Sequence, residues 1–301
     1  MVAERSDPSP ACRYGGGVRV LVTNDDGVEA PGIVALAARL HRAGHEVLVV
    51  GPDADRSGAG AAIGPLHRSE PIPMAERHLP ALGGVRVIAL ERPPATAVYL
   101  ACLGAFDFRP EVVASGINPG ANTGHLVLHS GTVGAALTAV GLGVPALAVS
   151  LKWSEEPYEW ATAAELAVPA LEWVARRPGP PAALNLNVPN VPLHAVRGVR
   201  GAELAPYGEV WVAAADVREG DVRIEFRGAD HEPSPESDAA SVLAGWATLT
   251  LLHGIAADPA PDAAAAVAAV LGERPSGAST ASGAPTATGA PTGPGTRTGG
   301  T

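Results

Sequence analysis

The sequence predicts an α/β fold: a three-layer, Rossmann-like, mostly parallel sheet with helices on both faces and a β-hairpin arm projecting near the C-terminal end. Three observations predict it. Apolar runs of strand length alternate with stretches of helical periodicity, the pattern of repeated βαβ units. Those runs are continuously hydrophobic, as suits strands covered on both faces. Late in the chain, two further strand-like runs flank a short glycine-containing turn.

Val18 opens the first run, VRVLVT. Pro31 starts a helix that carries Ile33, Leu36, Ala37 and Leu40 on one face, and Gly44 closes it. EVLVVG from Glu46 completes the first βαβ unit. VRVIAL from Val85 and a helix over 94–103 follow, then EVVAS from Glu111, a helix over 131–142 and PALAVS from Pro145. A helix over 157–177, interrupted by Pro169, leads to LNLNVP from Leu184. EVWVAAADV and DVRIEF then flank Arg218, Glu219 and Gly220, which places the arm at about 205–235. ATLTLL from Ala247 is one more strand, and a last helix is expected over 262–271. The folded unit is thus expected to span 18–272. Residues 1–17 lack apolar periodicity, and 273–301 form a Pro/Gly/Ser/Thr-rich mixture too poor in apolar groups to offset the entropy of ordering, so both segments are expected to be disordered.

Hydrophobic residues make up 47% of the chain but aromatic residues only 4%, so the core must be built from small aliphatic side chains. A net charge of -10 without any basic cluster excludes the electrostatic footprint of a nucleic-acid polymer binder. Neither a bilayer-spanning apolar run nor the apolar core of a signal peptide occurs, which predicts no membrane partner and a cytoplasmic location. Cys12 and Cys102, the only cysteines, exclude a disulfide framework or a zinc cage.

In open α/β sheets ligands bind beyond the carboxyl ends of the strands. The sequence places Asn24, Asp25, Asp26 and Gly27 there after the first run, and Asp53, Asp55, Arg56, Ser57 and Gly58 after the second. SGINPGANTG, with Asn118 and Asn122, follows EVVAS, and HSGTVGAAL enters the next helix. Asp25-Asp26-Gly27 taken alone reads as a turn. Two adjacent carboxylates without a nearby lysine nevertheless call for a positive charge, and a bound cation supplies one. The available partners are oxygen donors, the Ser57 hydroxyl and the amide carbonyl of Asn118 or Asn122, which favours Mg²⁺ or Mn²⁺ over zinc. Such an ion accepts phosphate oxygens from a substrate. Ser130, Gly131 and Thr132 at a helix N-terminus either bind that anion or simply cap the helix. His125 and His129 are candidate proton donors to a leaving oxygen.

NDDGVEAPG, DRSGAG, SGINPGAN, HSGTVGAAL, PALAVS and LNLNVP, in this order over about 18–188, resemble the SurE family of stationary-phase survival proteins, which are nucleoside-monophosphate phosphatases. The resemblance implies a divalent-metal-dependent phosphatase acting on 5′- and 3′-nucleoside monophosphates. It implies one Mg²⁺ or Mn²⁺ per subunit held by Asp25, Asp26, Ser57 and Asn118, with Asn122 and Ser130, Gly131 and Thr132 where phosphate binds. A homo-oligomer, dimer or tetramer, built through the hairpin arm is also implied. The chain departs from the family pattern at Thr96 and Ala97, where the family usually has Asp and Cys, at His129 for a tyrosine, at Thr138 for a glutamate and at Ala239 for an aromatic residue. Two functions follow. The first is metal-assisted in-line hydrolysis by water, with Asp25, Asp26 and Asn122 as catalytic residues. The second is a catalytically weakened nucleotide or divalent-ion sensor.

Overall fold

The computed structural model describes residues 17–66, 70–206, 210–228 and 234–256, together with 259–261, 263 and 267. The chain divides into two compact units, Met1–Ala256 and Ala257–Thr301; the strands and helices named below lie in the first, and residues 261, 263 and 267 of the second are helical. The segments expected to be disordered, 1–17 and 273–301, and the helix expected over 262–271 fall outside the described residues apart from 17, 263 and 267.

In chain order the elements are β1 (Arg19–Thr23), α1 (Pro31–Arg42), β2 (Glu46–Pro52), β3 (Met74–Arg77), β4 (Arg86–Leu90), α2 (Pro94–Cys102), β5 (Val112–Pro119) and α3 (Gly131–Gly141). They continue with β6 (Ala146–Leu151), α4 (Trp160–Arg176), β7 (Ala183–Val188), β8 (Val199–Gly201), β9 (Val210–Arg218), β10 (Asp221–Gly228), α5 (Asp238–Leu243) and β11 (Ala247–Leu252). The main sheet runs β3-β4-β2-β1-β5-β6-β7-β11-β8. Its centre, from β4 through β7, is parallel. β3 and β11 join antiparallel to β4 and β7. β9 and β10 pair as the expected antiparallel hairpin, with Asp221 opposite Arg218 across the turn.

The continuous apolar runs have the cause inferred for them. In β1, Val20 and Val22 face a core shared with Ile33 and Leu36 of α1 and Leu171 of α4, whereas Leu21 faces a second core with Val98 of α2 and Val133 of α3. Both faces of the sheet are therefore dry, and every residue from Val20 to Val22 must be apolar. Each such side chain contributes about 1.5–3 kcal/mol on burial. Helix α1 has no side-chain cap; Pro31 starts it, and Arg39, His41 and Arg42 in its last turn complement the dipole.

Two short edge strands, β3 and β8, were not visible in the apolar pattern because both are largely exposed and lie at or near the sheet margin. Helix α5 was hidden inside the lead-in to the last strand, where Ser237 caps it by accepting the Ala240 N–H (3.3 Å). β5 also runs on through Asn118 and Pro119, so the SGIN segment is part of a strand and not a loop. From β1 the chain moves outward to β2 and β4, then returns across β1 to β5, which makes the β1/β5 boundary the topological switch point. Among the described residues no helix is long and apolar enough to cross a membrane.

Candidate active site

β1 delivers Asn24, Asp25 and Asp26 to the carboxyl edge at that switch point. Asn24 is fully buried, and its Nδ2 donates to the Gly27 carbonyl (2.9 Å) to close a tight turn in which Gly27 takes φ 104°. The simple turn and the carboxylate pair therefore coexist. The Asp25 carbonyl accepts the Arg56 N–H (2.7 Å), drawing the loop after β2 onto this turn. On that loop Asp55 Oδ1 accepts both the Ser57 N–H (2.7 Å) and the Ser57 hydroxyl (2.6 Å), which leaves the lone pairs of Ser57 Oγ available.

Helix α3 closes the site. Ser130 Oγ accepts the Val133 N–H (3.1 Å), so Ser130 is the helix cap. Thr132 Oγ1 donates to Asp25 Oδ1 (2.5 Å) and stands 3.4 Å from Asn118 Oδ1. Asn118 Nδ2 donates to the Gly120 carbonyl (2.8 Å), an orientation that frees its carbonyl oxygen on the Thr132 side. Gly131 is a glycine for want of space: a Cβ there would stand 2.7 Å from both Cβ and Oδ2 of Asp25. Asp25, Thr132 and Asn118 are thus brought together side chain to side chain, with Ser57 carried on the loop bonded to Asp25.

Burial and like charge dominate the electrostatics of the two carboxylates. Burial raises the pKa of Asp25 above its ordinary value, against opposing hydrogen bonds from the Thr132 side chain and the Gly131 backbone. Burial, and then the charges of Asp25 and Asp55, push Asp26 up to about 7. Asp55, exposed and bonded to Ser57, is held below the usual range. Asp26 Oδ2 is buried without a hydrogen-bond partner, and Arg56 on the adjoining loop is paired with Asp53 (3.1 Å). Among the described residues no cluster of three His, Cys, Asp or Glu side chains forms. Two carboxylates completed by neutral oxygens of Asn118 and Ser57 are a donor set for a hard divalent cation. The residues present fit that group.

Asn122 stands differently from expectation. Its Nδ2 donates to Ser150 Oγ (2.8 Å), while its backbone is clamped: Asn187 Oδ1 accepts its N–H (2.8 Å), and Asn185 and Asn187 donate to its carbonyl (2.8 and 3.1 Å). One amide N–H of Asn122 remains for a ligand oxygen. His125 and His129 are exposed, and the His129 carbonyl accepts the Gly60 N–H (3.2 Å).

Residues 20–208 match the family model described as Survival protein SurE. The chain belongs to the SurE family. Two curated relatives bear the name 5′-nucleotidase SurE. One, from Xanthomonas campestris pv. campestris (strain B100), is 39% identical over 247 residues, 78% of this chain and 90% of its own. The other, from Stenotrophomonas maltophilia (strain R551-3), is 38% identical over 241 residues, 77% of this chain and 88% of its own. The crystal structure of the SurE protein from Aquifex aeolicus superimposes with a TM-score of 0.66 at 26% identity, covering 84% of this chain and 99% of that one. The SurE fold and the α/β architecture expected from the sequence are thereby established for this chain.

Three contributors escaped the sequence-based reading. Asn185 and Asn187 were read as strand residues, though two fully buried asparagines spaced for one face of an apolar strand were a usable signal. Asp238 was read only as part of the lead-in to the last strand, with no role of its own.

Proposed function

We propose that this SurE-family chain is a divalent-metal-dependent 5′-nucleotidase that hydrolyses nucleoside 5′- and 3′-monophosphates to nucleoside and phosphate. The observation that carries it is the half-buried Asp26 carboxylate beside Asp25 at the switch point, with its Oδ2 buried and without a hydrogen-bond partner, in a chain whose curated relatives are named 5′-nucleotidases. Asp25, Asp26, Ser57 and Asn118 hold one Mg²⁺ or Mn²⁺ per subunit. When bound, that ion neutralises the carboxylates and withdraws charge from a phosphate oxygen. Thr132 fixes the Asp25 carboxylate, and Gly131 lets it lie against the helix. The free N–H of Asn122 and the N-terminal turn of α3, through Ser130, Gly131 and Thr132, offer donors to the remaining phosphate oxygens as charge develops, and a water attacks in line.

The sensor alternative loses its basis once the departures from the family pattern are located. Thr96 Oγ1 donates to the Ile63 carbonyl (3.1 Å), Thr138 Oγ1 donates to the Gly134 carbonyl one helical turn back (2.7 Å), and Ala97 and Ala239 are buried. Each is absorbed by local packing or hydrogen bonding. The test is phosphate release from a panel of 5′- and 3′-nucleoside monophosphates with Mg²⁺, with Mn²⁺ and with EDTA. Release that requires a divalent ion is expected; release undiminished by EDTA sinks the mechanism, and binding without release restores the sensor.

The hairpin supports a homo-oligomer. Val222 and Ile224 of β10 and Val217 of β9 share one face, with Val222 opposite Val217, and are 59%, 53% and 77% exposed. A second copy of the chain would cover this ladder. Val222→Glu with Ile224→Glu is expected to convert a dimer or tetramer to monomers in light scattering. An unchanged mass would remove the hairpin from the interface.

A further inference from the structure

Asp238 is fully buried, an uncommon setting for a carboxylate, and burial drives its pKa upward against the hydrogen bonds it receives. Its Oδ2 accepts the Gly124 N–H (2.9 Å), and its Oδ1 accepts the Ala205 N–H (2.9 Å) and the Ala239 N–H (2.8 Å). Gly124 ends the segment that carries Asn118 and Asn122. Ala205 lies five residues before β9, the first strand of the hairpin. The carboxylate therefore ties two segments separated in sequence, which precede it by 114 and 33 residues. Both ends are firm. On one side, Asn185 and Asn187 grip Asn122; on the other, the Asp238 N–H donates to the Glu203 carbonyl (2.8 Å), locking α5 to the approach to the hairpin.

We propose that Asp238 is a positioning residue for the nucleotidase reaction, its buried carboxylate holding the Asn118–Asn122 segment in register with the segment that leads into the hairpin. It touches neither substrate nor metal. It acts by satisfying three backbone N–H groups that would otherwise be stranded, and so fixes where Asn118 presents its carbonyl oxygen and Asn122 its amide. A carboxyl group offers an acceptor at each of its two oxygens, which an amide does not. In Asp238→Asn the amide oxygen keeps the Ala205 and Ala239 pair, and the NH₂ group then confronts the Gly124 N–H, donor against donor.

The inference rests on the nucleotidase assignment, so the test carries a readout independent of turnover. Backbone amide exchange is measured for wild type and Asp238→Asn, alongside Mn²⁺ affinity by titration calorimetry, kcat and KM for a nucleoside monophosphate, and the melting temperature. The expected result has three parts: a folded variant, selective loss of protection at Gly124 with Ala205 retained, and weakening of Mn²⁺ affinity or kcat by about 10–100-fold, the scale found for groups that orient ligands from behind. Asp238→Glu, which keeps two acceptor oxygens, is expected to recover part of the loss. A lower melting temperature with unchanged Mn²⁺ affinity and kcat would reduce Asp238 to a purely structural role and overturn the proposal. Should wild type release no phosphate from nucleotides, the function assignment fails, while Gly124 exchange and Mn²⁺ affinity still decide whether Asp238 positions the site. If Asp238→Asn does not fold, Gly124 and Ala205 exchange in the wild type as a function of Mn²⁺ decides instead: joint protection supports the proposal, and indifference to the metal overturns it.

Discussion

Asp26→Asn is expected to abolish nucleotide hydrolysis, by about a thousandfold or more, while making the metal-free protein more stable. The two effects share one origin. Asp26 lies half-buried beside Asp25, with its Oδ2 buried and unpartnered, and this environment pushes its pKa up to about 7 from 3.8. Because the folded value lies above the unfolded one, this group's contribution to stability is fully present below pH 3.8 and is lost as pH rises through about 7. A neutral amide carries no such loss. Melting curves in EDTA should therefore converge for the two proteins near pH 4 and separate towards pH 8, with the variant the more stable by about 2–4 °C for each kcal/mol of repulsion removed.

Divalent metal reverses the order. A cation that needs ionised Asp26 must displace its proton below pH 7, so the half-activating metal concentration of the wild type should fall about tenfold per pH unit on the acidic side and level off above about pH 7. At a metal concentration a hundred times Kd the wild type gains about 2.7 kcal/mol, a gain the variant lacks. Hydrolysis that persists in metal-supplemented Asp26→Asn would refute the carboxylate-pair mechanism. Identical pH–stability curves in EDTA would refute the electrostatic account of the site.

Gly131→Ala is expected to cost about a hundredfold in kcat although it adds a single methyl group. At this first position of α3 the new Cβ would lie 2.7 Å from Cβ and Oδ2 of Asp25 and 3.0 Å from its Cγ. Asp25 has no freedom to yield: it is buried, and Thr132 holds its Oδ1 at 2.5 Å. Carboxylate or helix must move by several tenths of an ångström, and a misplacement of about 1 Å at a reacting centre can remove a hundredfold in rate. Gly141, at the far end of the same helix, is the internal control. A Cβ there meets nothing within 4 Å, so Gly141→Ala should leave turnover unchanged and add up to about 1 kcal/mol of stability. Equal activity of the two variants would show that the contact with Asp25 does not matter to catalysis.

The sheet was legible because burial on both faces writes itself as unbroken apolar runs, as in Val20, Leu21 and Val22. The edge strands β3 and β8 were not, since an exposed edge imposes no apolar requirement on its residues. In the candidate site, Asp25, Asp26 and Asn118 stood out because adjacent carboxylates and an amide oxygen at strand ends form an oxygen donor set suited to a hard cation. Ser130 and Thr132 stand at the N-terminus of α3: Ser130 caps its own helix, one of the two roles expected there, and Thr132 bonds to a carboxylate 107 residues away.

By itself the sequence determined the order and type of the central elements, the alternation that sends strand ends to one edge, and the pairing of two carboxylates at the first of those ends. Local patterns suffice there, because helix period, strand burial and turn chemistry act over a few residues. Only the tertiary structure decided that Thr132 grips Asp25, that Asn185 and Asn187 hold Asn122, and that Asp238 joins Gly124 to Ala205. These bonds link residues 33 to 114 positions apart. Their distances and directions follow from how layers of small side chains stack across the sheet, and no short-range pattern records that packing.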